Sequence, residues 1–134
     1  MSKLTFEDIF DLVNKANNII KKPNISPIYR NLRSQRRHLN RAQGFLYDIH
    51  NSELIEKTGW FSSRKLEDNP DIKSIKETSG KIAANLGKVI QFYTTVIESS
   101  SYSTREQRET EKTIVGIKQE LSRFLEYVRR LAFH

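Results

Sequence analysis

The chain has 134 residues, of which 37% are apolar and 29% charged. That balance suits one soluble domain that buries its own core and excludes a disordered chain. It carries a net charge of +7 and no cysteine, which excludes disulfides and thiolate metal sites.

The lack of cysteine fits an intracellular setting, cytoplasmic or within a virion. No apolar run approaches the roughly 20 residues that span a bilayer, so no membrane partner is expected. The opening MSKLTFEDIFDLV has acids inside its apolar stretch and no cleavage pattern, unlike a signal peptide.

The first predicted helix runs from Thr5 to Lys22. Thr5 is a good N-cap, and Glu7 and Asp8 suit the positive end of the helix dipole. Phe6, Ile9, Phe10, Val13, Ala16 and Ile20 recur at helical spacing, and Pro23 ends the run. The second begins at Ser26-Pro27, a cap followed by proline, and is predicted to continue to Lys57, before Thr58-Gly59. Some 30 residues at 1.5 Å each make a rod of about 45 Å. Gly44 within it costs about 1 kcal/mol relative to alanine.

A connector follows over residues 58–69. Trp60 and Phe61 are predicted to plug the end of the bundle, and residues 63–67 to form a single helical turn. Asn69-Pro70 repeats the cap-then-proline signal and opens the third helix, which reaches Ser99. Ile72, Ile75, Ile82, Leu86, Val89, Ile90, Tyr93, Val96 and Ile97 form its apolar stripe. Gly80, Ala83, Ala84 and Gly87 beside it read as close packing. Ser103-Thr104-Arg105-Glu106 is a capping-box pattern that starts the fourth helix, which ends at Ala132. No alternation long enough for a strand stands out. The expected fold is therefore an all-α antiparallel four-helix bundle of one domain, with long second and third helices.

The charge is unevenly placed. No acid lies between Asp11 and Asp48, a stretch that holds Lys15, Lys21, Lys22, Arg30, Arg33, Arg36, Arg37 and Arg41. That leaves 15 of the 23 basic residues against all 16 acidic ones, so this segment supplies the whole excess. At about 100° per residue, Arg30, Arg33, Arg37 and Arg41 fall within an arc of about 80°. Ile28, Leu32, Leu39 and Leu46 lie on nearly the opposite side. The arginines form a rail about 16 Å long, whose step approximates a phosphate repeat.

Guanidinium groups bond phosphate in a planar, two-pronged way and stack on bases. With no acid at i±3 or i±4, the rail also costs some helix stability. A local block of one sign points to a partner of the other. Arg36 sits at the flank with Tyr29 and Tyr47 at similar angles, a candidate base-stacking surface. Lys15, Lys21 and Lys22 are candidates to extend the basic surface from the first helix. The expected function is non-catalytic, sequence-nonspecific binding of RNA or single-stranded DNA, as a subunit of a larger nucleoprotein complex. The alternative is a protein-interaction or assembly module, an oligomeric subunit docking an acidic partner, which exposed aromatics at Trp60, Phe61 or Tyr102 would favour.

A third alternative is enzymatic. Arg33-Ser34-Gln35-Arg36-Arg37-His38 resembles the Arg-x4-6-His pattern of HEPN ribonucleases, helical proteins that often dimerise. The resemblance implies His38 as acid or base and Arg33 as the group that stabilises the phosphorane charge. Ser34 departs from the Asn, Asp or His usual after that arginine, and the motif lies in the second helix rather than near the chain end. In size, charge and helix content the chain is also similar to the small subunits of CRISPR effector complexes and to the accessory bundle of diversity-generating retroelements, with no diagnostic motif shared. His50 and Glu53 are one turn apart, but no second such pair supports a di-metal site. No phosphate loop or Ser-His-acid arrangement stands out. The chain is thus not read as an enzyme, and no cofactor, metal or small-molecule substrate is expected.

Overall fold

A computed structural model describes residues 2–21, 31–60, 62–66 and 69–133. Among them are four helices, α1 (Phe6–Ile20), α2 (Leu32–His50), α3 (Pro70–Ser99) and α4 (Thr104–Ala132), with three short strands, β1 (Lys3–Leu4), β2 (Glu53–Lys57) and β3 (Ser63–Lys65). The chain is mostly helical, as its periodicity predicts.

Three helix starts follow from local chemistry. Thr5 accepts from the Asp8 N–H while Asp8 accepts from the Thr5 N–H, a complete capping box for α1. Asn69 accepts from the Asp71 N–H ahead of Pro70, and Ser103 from the Glu106 N–H. At the other end of α3, Ser100 turns left-handed, with φ 57°, and sends the chain back into α4.

The helices close into a ring: α1 packs against α2 and α4, and α3 packs against the same two. Arg36, Gln43 and His50 of α2 meet Thr94, Ala83 and Lys76 of α3 in turn, so these helices run in opposite directions. Lys81 with Glu120 and Asp71 with Tyr127 show the same for α3 and α4. Ile9, Val13, Leu39, Leu46, Ile75, Ile82, Leu86, Leu121 and Val128 fill the core, each nearly inaccessible. Gly80, Ala83 and Gly87 of α3 serve close packing as expected, while Ala84 is exposed. A Cβ built on Gly80 would come 2.8 Å from the His50 ring, and one on Gly87 would come 3.1 Å from the Gln43 amide.

The second helix departs from the sequence expectation. The Ser26-Pro27 signal lies outside the described residues. Within them α2 spans 19 residues, about 28 Å, and stops at His50 rather than Lys57. Residues 53–57 form β2 instead, parallel to β1 (Lys3↔Glu53, Leu4↔Leu54) and antiparallel to β3 (Ile55↔Lys65, Lys57↔Ser63). Glu-Leu-Ile-Glu-Lys is locally a fair helix former, but pairing with strands on both sides overrides propensity. Ser52 makes the corner: its hydroxyl and its N–H both donate to the Ile49 carbonyl. The predicted helical turn at 63–67 is likewise replaced by β3 over 63–65. The third helix is long as expected, with 30 residues, but among the described residues its long companion is α4, with 29, rather than α2.

Trp60 does not plug the bundle. It stands at the tip of the β2–β3 hairpin, 97% exposed, because Thr58 and Ser62 bond through backbone and hydroxyls and close a tight loop beneath it. Phe61 lies outside the described residues.

Candidate nucleic-acid interface

α2 is divided lengthwise. Gln35, Leu39, Ala42, Leu46 and Ile49 are buried, while Arg33, Arg37 and Arg41 are exposed. Three of the four predicted rail residues thus share one solvent face over about 12 Å of helix. Arg30, Lys22 and Tyr29 lie outside the described residues. Lys21 is exposed at the C-cap of α1.

Some cations elsewhere on the surface have acidic partners, such as Arg64 with Glu56 at 2.6 Å, Lys65 with Glu53 at 3.1 Å, Lys81 with Glu120 at 3.7 Å and Arg105 with Glu109 at 3.2 Å, while others, such as Lys88, Arg108 and Arg123, form no ion pair among the described residues. Among the described residues no carboxylate lies within ion-pair distance of Arg33, Arg37 or Arg41. The start of α2 compounds the cost. It has no acid in its first turn and no side-chain cap, and Asn31 before it is held left-handed, with φ 66°. Arg33 sits in that first turn, where the helix dipole disfavours a positive charge. The repulsion along the rail and the poor helix start both oppose folding, and no ion pair among the described residues offsets them.

Packing links the rail to α1. The Arg41 guanidinium lies 5.7 Å from the centroid of the half-buried Phe45 ring, and Lys15 Nζ approaches the same ring at 5.9 Å. The two cations are therefore no more than about 12 Å apart. Each ring contact is worth about 0.5–1 kcal/mol at an exposed site. Phe45 holds Lys15 of α1 beside the last arginine and widens the rail into a strip across two helices. Sequence reasoning missed Phe45, because its role depends on how α1 packs on α2.

The flank is rearranged. Arg36 Nη1 donates to Thr94 Oγ1 at 3.2 Å and ties α2 to α3, so Arg36 is a half-buried bridge rather than a stacking group. Tyr47 is 39% exposed. Beneath Arg36, Tyr93 donates from its hydroxyl to Gln35 Oε1 at 2.7 Å, both side chains buried. Burial pushes the Tyr93 phenol well above its ordinary range. Gln35 lies within the arginine-rich stretch, yet it faces the core and locks the azimuth of α2.

On this continuous helix His38 lies at position i+5 from Arg33, with four residues between, which turns them about 140° apart. Arg33 is exposed and His38 half-buried, so one chain does not bring the two together as the ribonuclease reading requires. His50 Nδ1 meets the Lys76 carbonyl at 2.8 Å, and Glu53 pairs with Lys65. Among the described residues no group of three His, Asp or Glu side chains is placed to hold a metal ion, and no helix is long and apolar enough to cross a membrane. No protein-family model matches the chain, and neither a curated protein nor a solved structure shows significant similarity to it.

Proposed function

We propose that this chain is a non-catalytic, sequence-nonspecific nucleic-acid-binding subunit of a larger nucleoprotein complex, with an antiparallel four-helix bundle as scaffold. Arg33, Arg37 and Arg41 on α2 and Lys15 on α1 neutralise successive phosphates of RNA or single-stranded DNA. The observation that carries the reading is the exposed, acid-free run of arginines, set on a helix whose start it destabilises. Bound phosphates remove that repulsion and release counterions.

Salt titration tests it. Four phosphate contacts give a slope of log K against log salt of about −3 on a single strand. Mobility shifts with single-stranded RNA, single-stranded DNA and duplex across a salt series should show that slope or a steeper one. Absence of binding to all three at low salt refutes the reading.

One observation favours a second reading, a protein-interaction or assembly module: Trp60 is 97% exposed and Tyr102 44%. An indole held in water on a closed hairpin gives up the burial that makes tryptophan a common interface anchor. Trp60 is the chain's one tryptophan, so its fluorescence reports on the hairpin tip alone. In an assembly module the emission shifts to the blue as protein concentration rises, and Trp60→Ser yields monomers in sedimentation. Water-exposed emission and a monomeric wild-type protein across that range exclude self-assembly through the hairpin.

A further inference from the structure

Gly44 has no packing explanation. Gly80 and Gly87 are hemmed in by His50 and Gln43, but a Cβ added to Gly44 would meet nothing within 4 Å, and the residue is exposed in the middle of α2. A glycine there costs helix stability and permits no close contact within the described fold.

Its position on the helix is informative. At 100° per residue, Gly44 lies between Arg33 and Arg37 in azimuth, about 20° from each, inside the arginine arc. Its neighbours one and two turns away are Arg37, Asn40, Arg41, Tyr47 and Asp48, all exposed. The Arg41 guanidinium lies over Phe45. The other four side chains have no ion-pair or hydrogen-bond partner among the described residues. The rail thus ends in a notch floored by bare helix backbone. Arg37 and Arg41 precede it on the helix, and Tyr47 and Asp48 follow it. Gly116 on α4 is equally open, but Lys112, Thr113, Gln119 and Glu120 surround it, with no aromatic ring and opposed charges. Openness alone does not distinguish Gly44; the groups around it do.

We propose that this notch seats one unpaired nucleotide of the bound strand. Resting on the nucleic-acid reading above, it adds where a base goes. The flanking phosphates engage Arg37 and Arg41, the base stacks on the Tyr47 ring, and the nucleotide rests on the backbone at Gly44, where a side chain would hold it off. The Asp48 carboxylate repels phosphate and accepts only hydrogen bonds, so it turns the base, not the phosphate, toward the C-terminal side. Every base has a π face, so stacking adds affinity without strong sequence preference. In a duplex the bases are already stacked, so the notch selects single strands.

The test sets stability against affinity. Gly44→Ala should raise the unfolding midpoint by about 3–5 °C and weaken single-strand binding. Gly44→Gln should weaken it about tenfold or more, with the salt slope unchanged because the arginines remain. Gly116→Ala should give a similar thermal gain with unaltered affinity. Tyr47→Ala should lose about five- to hundredfold for oligoadenylate and oligouridylate but not for duplex, and Tyr47→Phe should retain binding. Wild-type single-strand affinity in both folded Gly44→Gln and Tyr47→Ala overturns the notch. If reversing the rail arginines still abolishes binding, the general reading survives it. A wild-type protein that binds no nucleic acid overturns both.

Discussion

Reversing Arg33, Arg37 and Arg41 together to glutamate should lower single-strand affinity at least about a hundredfold near 0.1 M salt. Each phosphate contact contributes about 0.7 to the salt slope on a single strand, so losing three flattens the slope by about 2. Over the tenfold interval from 0.1 M to 1 M salt, that slope alone corresponds to about two decades of affinity, and the new carboxylates add repulsion. The fold should survive the change. All three side chains are exposed and without carboxylate partners among the described residues. Glutamate at position 33 also suits the positive end of α2 better than arginine does. The gain at position 33 and the loss of the Arg41–Phe45 contact roughly offset, so circular dichroism and thermal unfolding of the variant should stay close to the wild type while mobility shifts lose the complex. A variant that keeps wild-type affinity and slope removes the rail from the binding surface.

The largest effect on stability is expected at the buried pair beneath the rail. Tyr93 is fully buried in the α2–α3 contact, near the start of α2, and its hydroxyl bonds Gln35. Tyr93→Ala should cost about 3–5 kcal/mol through lost packing, with more from the loss of the hydroxyl that Gln35 Oε1 accepts from. Tyr93→Phe isolates the polar part. It leaves Gln35 Oε1 buried without its 2.7 Å partner, at a cost of about 1–3 kcal/mol. Removing both polar groups, as Tyr93→Phe with Gln35→Leu, should recover part of that loss, because no buried Oε1 is then left facing the missing hydroxyl. Urea unfolding of the two singles and the double closes the cycle. A double variant no more stable than either single would show that the bond does more than satisfy two buried groups.

Helix number and most helix ends were legible because they depend on near neighbours. Thr5, Asn69-Pro70 and Ser103 act on groups two or three residues away, and the apolar stripes of α1, α3 and α4 recur at a period that local geometry sets. The outward turn of Arg33, Arg37 and Arg41 was legible for the same reason, since Leu39 and Leu46 mark the opposite side of one helix. The strand at Glu53–Lys57 was not. Its hydrogen bonds run to Lys3–Leu4, some 50 residues earlier, and to Ser63–Lys65, and no local preference of Glu, Leu or Lys foretells them. Trp60 was misjudged because a large apolar residue after a glycine reads as core unless the hairpin that carries it outward is known. Gln35 and Arg36, adjacent in a basic stretch, resemble surface residues until α3 brings Tyr93 and Thr94 against them.

By itself the sequence determined a mostly helical chain, the caps of α1, α3 and α4, and an acid-free segment that supplies the whole net charge, since these follow from covalent order and short-range geometry. Only the tertiary structure decided where α2 ends, which polar residues are buried, that Lys15 stands beside Arg41 on the shared ring of Phe45, and that Gly44 is left bare. Those features depend on which faces of separate elements meet, and the partners in each contact lie too far apart in the chain for local pattern to join them.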